Sequence, residues 1–296
     1  MSHSVCSFYY DLDATTGYGH RSRCEALNSC LRVLGIQCHL IENSYDKSPS
    51  ESEFIVVDSY RADLAFYKAC LTQARRCLFF DDYDRLRYPG GLVLNPSGEV
   101  GKDNLAVGER EAQYICGAEY LMVRDMFASR AVTNSNVSTV KNVLVILGSG
   151  ASSALWIHVL KAVCDIFTDA IVHVVGGSSI AGLTGTVLYY SHLEPESLAN
   201  LMVDCDFAVS AGGQTLLELV CCGVPTAVLV TAKNQNNQVM LLQSYGVVQK
   251  AEIIDLGSVL QQFLDCSLRE TLVRRMITLN LGQGAKRVCD LLLKRG

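Results

Sequence analysis

A short polar segment near the start of the chain holds the side chain best suited to acid–base chemistry. Gly17, Gly19 and His20 follow an apolar run, Val5 to Phe8, and precede a stretch with helical spacing. Backbone N–H groups and the positive end of a helix macrodipole converge at such a junction, which favours an anion or a polar sugar. An imidazole titrates near neutral pH and can accept a proton from a reacting group. We predict that His20 is a general base; the alternative is a histidine that caps the helix or binds a loop carbonyl.

The same loop lacks the full dinucleotide-binding pattern. Ser22 stands where the third glycine of G-x-G-x-x-G belongs. This argues against a dinucleotide fingerprint, and we expect no cofactor and no metal.

A second glycine turn lies in the other half of the chain. The segment Ser210 to Thr215, with Gly212, Gly213 and Gln214 inside it, joins a predicted strand to a predicted helix. Its backbone amides and hydroxyls suit a diphosphate. Glu218 follows one helical turn after Gln214, where a carboxylate can accept the hydroxyl hydrogens of a ribose. The alternative for Glu218 is a solvent-facing glutamate.

Amide side chains dominate the segment Lys233 to Gln238, which follows the predicted strand Pro225 to Val230. Amides both donate and accept hydrogen bonds, which suits sugar hydroxyls and acetamido groups. We therefore predict sugar contacts from Asn234 and Gln235. The alternative is an ordinary helix start with Asn234 as its cap.

Carboxylates also end two apolar runs of the first half. Asp58 follows Phe54 to Val57, and Asp81 and Asp82 follow Cys77 to Phe80. The carboxyl ends of parallel strands form the ligand crevice of open α/β sheets, so these side chains are placed where a site is expected. The alternative is that each caps the following helix.

These segments belong to an alternation of short β-rich runs and amphipathic stretches, which predicts parallel sheets built from βαβ units. A polar stretch from Arg130 to Lys141 separates two such series. We predict two Rossmann-like α/β domains facing across a cleft, residues 1–138 and 139–296. The stretch from Arg269 to Arg295 is predicted helical and is expected to cross back to the first domain.

Composition excludes several classes of protein. The net charge is −5 with no block of like charges, which argues against a nucleic-acid partner. No apolar run reaches the roughly 18 residues that span a bilayer, so we expect a cytoplasmic protein without stable membrane insertion, with a monomer favoured. The 13 cysteines include no C-x-x-C pair, and we expect reduced thiols.

Taken in order, the segments resemble the UDP-2,4-diacetamido-2,4,6-trideoxy-β-L-altrose hydrolases of the pseudaminic acid pathway. That family is related to the peptidoglycan N-acetylglucosaminyltransferase and to spore-coat polysaccharide proteins. The resemblance covers nearly the whole chain and is carried by Asp11, Gly17-Tyr18-Gly19-His20, Arg23, Asp58-Ser59-Tyr60, Phe80-Asp81-Asp82, Asn95, Gly117 to Phe127, Leu198 to Met202, Ser210-Ala211-Gly212-Gly213, Thr215, Glu218 and Asn234-Gln235.

The resemblance implies a glycosyltransferase-like GT-B fold whose first domain holds the sugar and the base and whose second domain holds UDP. It implies that water releases UDP from the sugar by inversion, without a metal, with His20 as base. We assign Asp11 to orienting His20 or to the sugar. Further sugar contacts are expected from Gly19, Arg21 and Tyr60.

Two positions depart from the family pattern. Tyr9 replaces an arginine, and Ala151 replaces the aspartate of a glycine-rich turn, Gly148 to Ala151. Two other functions therefore stay open. One is a UDP-sugar-dependent glycosyltransferase, in which an acceptor hydroxyl replaces water. The other is a non-catalytic protein that binds sugar nucleotides.

Overall fold

The computed structural model describes residues 4–12, 18–82, 84–98, 112–130, 139–148 and 150–294. The chain divides into two compact units, one of Met1–Asp125 with Gln283–Gly296 and one of Met126–Gly282. The sequence-based division placed a single boundary at residue 138, which lies outside the described residues. In the structure the chain passes from the first unit to the second and returns near its end.

The first unit is built on a six-stranded sheet in which all described pairings are parallel. Its strand order is β2-β1-β3-β4-β5-β6. The strands are β1 (Val5–Tyr10), β2 (Gln37–Glu42), β3 (Ser52–Asp58), β4 (Ala74–Phe80), β5 (Leu92–Leu94) and β6 (Gln113–Ile115).

Side chains of β1 alternate between two cores, as expected for a parallel strand covered on both faces. Phe8 and Tyr10 pack in one core, which also contains buried residues of α1 (Gly19–Val33). Tyr9 packs in the other core with residues of α2 (Leu64–Gln73). The sheet thus packs between helices on its two faces. The segments that follow β1, β3 and β4 begin at its carboxyl edge.

The second unit contains another six-stranded sheet with parallel pairings. The strands are β7 (Asn142–Ile146), β8 (Ile171–Val175), β9 (Thr186–Tyr190), β10 (Phe207–Ala211), β11 (Thr226–Leu229) and β12 (Gln249–Ala251). Their order, β9-β8-β7-β10-β11-β12, is the Rossmann order. The sequence-based prediction of two Rossmann-like α/β domains is confirmed.

The remaining α-helices are α3 (Asp125–Ala128), α4 (Ser153–Ile166), α5 (Pro195–Asp204), α6 (Gln214–Cys221), α7 (Asn236–Ser244), α8 (Leu256–Gln262), α9 (Cys266–Leu279) and α10 (Gly284–Leu293). They include three in succession, α8 to α10, after the last strand.

The last stretch is two helices, where the sequence predicted continuous helix from Arg269 to Arg295. Asn280 adopts a left-handed conformation (φ 50°) that ends α9, and a 3₁₀ turn, Leu281–Gln283, leads into α10. Such a residue at a helix end stops the regular hydrogen-bond ladder. The break redirects the chain, and α10 packs on the first unit against α1 and β4.

All 13 cysteines are free thiols, and most of them are buried. Among the described residues, no helix combines the length and apolarity needed to cross a membrane.

Candidate functional site

The first candidate site lies at the carboxyl edge of the first sheet, between the ends of the neighbouring strands β1 and β3. The helices that follow these two strands pack on opposite faces of the sheet. Ligand crevices of open α/β sheets form at this reversal of strand order. His20 stands in the first turn of α1, and Asp58 is the last residue of β3. Gly17, predicted with them, lies outside the described residues.

His20 and Asp58 form a buried pair. The imidazole Nδ1 lies 2.5 Å from Asp58 Oδ1, with 3% and 1% of the two side chains exposed. At this distance from a carboxylate, Nδ1 carries the proton and donates it, so the lone pair of the neutral ring is on Nε2. A base needs this arrangement, in which a third group fixes tautomer and orientation.

Arg23 joins this pair to a second carboxylate. Its Nε and Nη2 donate to the two oxygens of Asp58 at 2.8 and 2.7 Å, and Nη1 and Nη2 donate to Asp82 at 2.5 and 3.0 Å. Burial opposes the ionised carboxylate of Asp82, but the charge of Arg23 and hydrogen bonds from Arg23 and Tyr60 outweigh it and lower the Asp82 pKa. The guanidinium is thus held by two carboxylates.

Tyr60 closes the cluster over the imidazole. Its ring meets the His20 ring edge to face, with centroids 4.4 Å apart, and its hydroxyl donates to Asp82 Oδ2 at 2.5 Å. The hydroxyl thus already donates to a carboxylate of the cluster, and the sugar contact of Tyr60 stays a prediction.

Asp11 makes no described hydrogen bond to His20, and its assignment to orienting His20 or to the sugar stays a prediction. It is fully buried and accepts hydrogen bonds from the Tyr45 hydroxyl, the Ser59 hydroxyl and the Tyr60 amide, at 2.7 to 2.8 Å. Asp11 and Asp58 end neighbouring strands, but the side chain of Asp58 points to α1, while that of Asp11 holds the loop after β3.

The other predicted residues of this region lie beside the cluster. Gly19 begins α1, and Arg21 on the same turn donates to Glu25 at 2.7 Å. That hydrogen bond raises the Arg21 pKa above its ordinary value. The sugar contacts of Gly19 and Arg21 stay predictions.

The second candidate site is the glycine turn between β10 and α6. Ser210 belongs to β10, is 0% exposed and donates to the carbonyl of Ala211 at 3.0 Å. Its contact with a diphosphate stays a prediction. Gly213 is the cap residue of α6, and Gln214 and Thr215 form its first turn.

Two glutamines from the following segment hold this turn. Gln235 Oε1 accepts from the amides of Gly212 and Thr231 at 3.2 and 2.9 Å, and Gln238 Nε2 donates to the carbonyls of Gly212 and Gly213 at 2.8 and 3.0 Å. In a trans peptide the next N–H points opposite to the carbonyl. The amides of Gly213 and Gln214 are therefore turned away from Gln238, as an anion-binding nest requires.

Gln235 thus has a structural task that the sequence did not reveal. Its amide oxygen binds the glycine turn, where the prediction gave the side chain to a sugar. Asn234 is exposed in a 3₁₀ turn, and α7 begins later, at Asn236, so Asn234 is not the cap of that helix. Its predicted sugar contact stays open.

Glu218 lies in α6 and is only 2% exposed, so the alternative of a solvent-facing glutamate is wrong. Burial raises the pKa values of the Cys221 and Cys222 thiols to about 12, and the carboxylate of Glu218 adds to this effect. The contact of Glu218 with a ribose stays a prediction.

The two departures from the family pattern have different surroundings. Tyr9 is buried edge to face against Phe66, and its hydroxyl accepts from the Ser50 amide at 2.9 Å. It therefore fills the core of the first unit. Ala151 donates its amide to the Gly148 carbonyl in the turn after β7.

Arg23 and Gln238 were missed as site residues, although helix spacing marks both. Arg23 is three residues after His20 and Gln238 three after Gln235, so each pair shares a helical face. Within the described ranges, no group of three or more His, Cys, Asp or Glu side chains is arranged to hold a metal ion.

No protein-family model matches the chain. The chain is 26% identical over 259 residues to a Helicobacter pylori protein named pseudaminic acid cytidylyltransferase and UDP-2,4-diacetamido-2,4,6-trideoxy-β-L-altropyranose hydrolase. That match covers 83% of this chain and 48% of the relative. An uncharacterised protein of Methanocaldococcus jannaschii is 24% identical over 194 residues, covering 60% of this chain and 40% of that protein. The chain spans about half the length, or less, of these curated relatives.

Solved structures of glycosyltransferases share the fold along almost the whole chain. The glycotransferase of kitacinnamycin has a TM-score of 0.64 at 12% identity, with 98% of each chain covered. The spinosyn forosaminyltransferase SpnP gives 0.61 at 12%, and MurG of Acinetobacter baumannii gives 0.60 at 13%, each covering 99% of this chain and 100% of the other. The predicted GT-B glycosyltransferase-like fold class is confirmed, as is the resemblance to the hydrolases of the pseudaminic acid pathway.

Proposed function

We propose that the protein hydrolyses a UDP-linked diacetamido-trideoxy sugar and releases UDP and the free sugar for nonulosonic acid synthesis. The reaction proceeds with inversion and without a metal. The observation that carries this proposal is the buried His20–Asp58 pair, with Nδ1 and Oδ1 2.5 Å apart. The similarity to the Helicobacter pylori protein, whose name includes this hydrolase, supplies the substrate class.

His20 removes a proton from water in the proposed step. Water attacks the anomeric carbon, its proton passes to Nε2, and the bond from that carbon to the diphosphate oxygen breaks with its electron pair leaving on UDP. Asp58 holds the ring and stabilises the imidazolium that forms. His20 and Asp58 both belong to the first unit, to which we assign the sugar, with contacts from Gly19 and Arg21.

UDP is assigned to the second unit. The amides of Gly213, Gln214 and Thr215 at the start of α6 suit the diphosphate and stabilise the charge that develops as it leaves. Glu218 is the proposed ribose contact, and Asn234 is a proposed sugar contact. The clamp from Gln235 and Gln238 supports this assignment, because it fixes the turn before a ligand arrives.

A transferase remains the second candidate, favoured by the glycosyltransferase titles of the structural neighbours. In that reaction His20 would deprotonate an acceptor hydroxyl. A protein that only binds sugar nucleotides is the third candidate, and it needs no base at the position of the His20–Asp58 pair.

The test is UDP release from UDP-2,4-diacetamido-2,4,6-trideoxy-β-L-altrose with EDTA present and water as the only acceptor. Release, with early formation of the anomer opposite to that of the substrate by NMR, is the expected result. Release that begins only when a sugar or peptide hydroxyl is added would replace the hydrolase by a transferase. Tight UDP binding without release under either condition would leave a binding protein.

A further inference from the structure

Asp82 shares a guanidinium with the residue that holds His20. Arg23 Nη2 donates both to Asp58 Oδ1 at 2.7 Å and to Asp82 Oδ2 at 3.0 Å, and Nη1 adds a bond to Asp82 Oδ1 at 2.5 Å. The guanidinium carbon also lies 5.0 Å from the centroid of the Phe80 ring. Arg23 is thus fixed between the two carboxylates, so a change in the charge of one carboxylate alters the hydrogen bonds that Arg23 makes to the other.

The charges of this cluster do not balance while His20 is neutral. Two carboxylates face one guanidinium, which leaves one net negative charge in a site that is largely shielded from water. Protonation of His20 cancels that charge. The charge of the second carboxylate therefore acts on the same cluster as His20, and the low local dielectric strengthens the interaction.

Within the described part of the chain, groups from several elements surround His20. Arg23 and Cys24 belong to α1, and the Cys24 thiol interacts electrostatically with the carboxylate of Asp58 on β3. Tyr60 follows β3, and Asp82 follows β4. Asp11 follows β1 and accepts a hydrogen bond from the Tyr60 amide. Of these carboxylates, Asp82 shares Arg23 with Asp58 but has no described hydrogen bond to the imidazole.

We propose that Asp82 is a positioning residue that sets the proton affinity of His20 through Arg23. This inference rests on the proposed function, in which His20 is the base. With Asp82 charged, Arg23 divides its hydrogen bonds, and Asp58 keeps enough negative charge to favour the imidazolium. Without that charge, Arg23 neutralises Asp58 more completely, and His20 becomes a weaker base.

The test is an NMR titration of the imidazoles in isotope-labelled protein, with the His20 signals assigned by their loss in His20→Asn. Asp82→Asn is expected to lower the midpoint of the His20 titration by about 0.5 to 1 pH unit. Asp82→Glu keeps the charge and is expected to stay near the unaltered protein. The acidic limb of the pH–rate profile should move with the midpoint.

Asp84→Asn is the matched control. It removes the same charge from an exposed side chain two residues away, at a left-handed position (φ 56°) that asparagine adopts readily. Its effect should stay below about 0.2 pH unit, because solvent screens an exposed charge. An unchanged midpoint in Asp82→Asn, or the same shift in Asp84→Asn, would overturn the inference.

A second variant changes the charge of Arg23 itself. Arg23→Gln removes the positive charge, so the midpoint should rise; a fall or no change contradicts the inference. The titration needs no substrate. A protein that fails to hydrolyse the UDP-sugar but shows these shifts refutes the proposed function and leaves the electrostatic coupling intact.

Discussion

The imidazole of His20 is restricted to one chemical role by its neighbours. Nδ1 faces Asp58 and Arg23, so Nε2 is the ring nitrogen left for proton transfer in the proposed reaction. A carboxylate at Nδ1 both selects this tautomer and offsets the charge that appears when Nε2 takes a proton. The strength of the base is therefore a property of the pair.

Asp58→Asn should lower kcat by about 100-fold or more, with little effect on UDP affinity. The amide can present its NH₂ group to Nδ1, which would then accept, leaving the proton on Nε2. Steady-state kinetics and calorimetric UDP binding measure the two quantities.

Asp63→Asn is the control for this substitution. Asp63 caps α2 by accepting from the Phe66 amide at 2.9 Å, and asparagine caps a helix equally well. Its kcat should equal that of the unaltered protein. Equal losses in the two variants would mean that the loss in Asp58→Asn is a general effect of neutralising a carboxylate in this unit.

The sequence singled out His20 from its place between strand and helix, but it did not reveal the pairing of the imidazole with Asp58. Asp11 and Asp58 both follow apolar runs, and strand ends of a parallel sheet are equivalent in a sequence. Which side chain turns toward α1 depends on packing by Tyr45 and Ser59, and no local pattern encodes those contacts.

At the scale of elements, the glycine turn of the second unit depends on α7. Gln238 reaches from α7 to two consecutive carbonyls of the turn, and Gly212 leaves room for Val239, since a Cβ on Gly212 would lie 2.4 Å from Val239 Cγ2. The turn is thus held in one conformation before a ligand binds, which lowers the entropy cost of binding.

Gln238→Met should weaken UDP binding about tenfold, because the lost hydrogen bonds free the two peptide planes. The kcat at saturating substrate should change less than the affinity. Gln243→Met, at an exposed position of the same helix, is the control. Unaltered UDP affinity in Gln238→Met, measured by calorimetry, would show that the turn keeps its shape without the clamp.

Helix α10 makes a close backbone approach at its first residue. A Cβ on Gly284 would lie 1.7 Å from the carbonyl oxygen of Leu121. Gly284→Ala should therefore destabilise the first unit by about 1 to 3 kcal/mol, as overpacking does. Gly257→Ala, in α8 with nothing described within 4 Å, should stabilise by about 0.5 to 1 kcal/mol. Urea unfolding measures both, and a neutral Gly284→Ala would contradict the tight approach.

Most elements could be predicted because long buried strands and amphipathic helices have clear periods. The three-residue strands β5, β6 and β12 were missed, since three residues show no period. The break between α9 and α10 was missed for another reason. Asn280, followed by Gly282, is a helix-end signal that the prediction of a continuous helix overlooked.

In the whole molecule, a segment that follows the second unit in sequence, Gln283–Gly296, completes the first unit. Ala285, Val288, Cys289 and Leu292 are buried in the core that contains Phe8 and Leu27. Burial of three or four such side chains contributes several kcal/mol, which is a large part of the stability of a domain. The two ends of the chain therefore depend on each other.

Truncation after Gly282 should unfold the first unit while the second unit keeps its fold. Urea unfolding followed by limited proteolysis distinguishes the two units. Removal of residues 294–296 alone spares α10 and should leave stability unchanged. A truncated protein with the unaltered unfolding midpoint would show that α10 contributes little to the first core.

A comparison of the unaltered protein with His20→Asn decides whether His20 is the base of a UDP-sugar hydrolase. The measurement is the rate of UDP release from the diacetamido-trideoxy UDP-sugar in water and EDTA, with both proteins saturated with this substrate. We expect a rate at least about 100-fold lower in the variant, since general-base catalysis contributes about 10²–10⁴. Equal rates in the two proteins would contradict this role of His20.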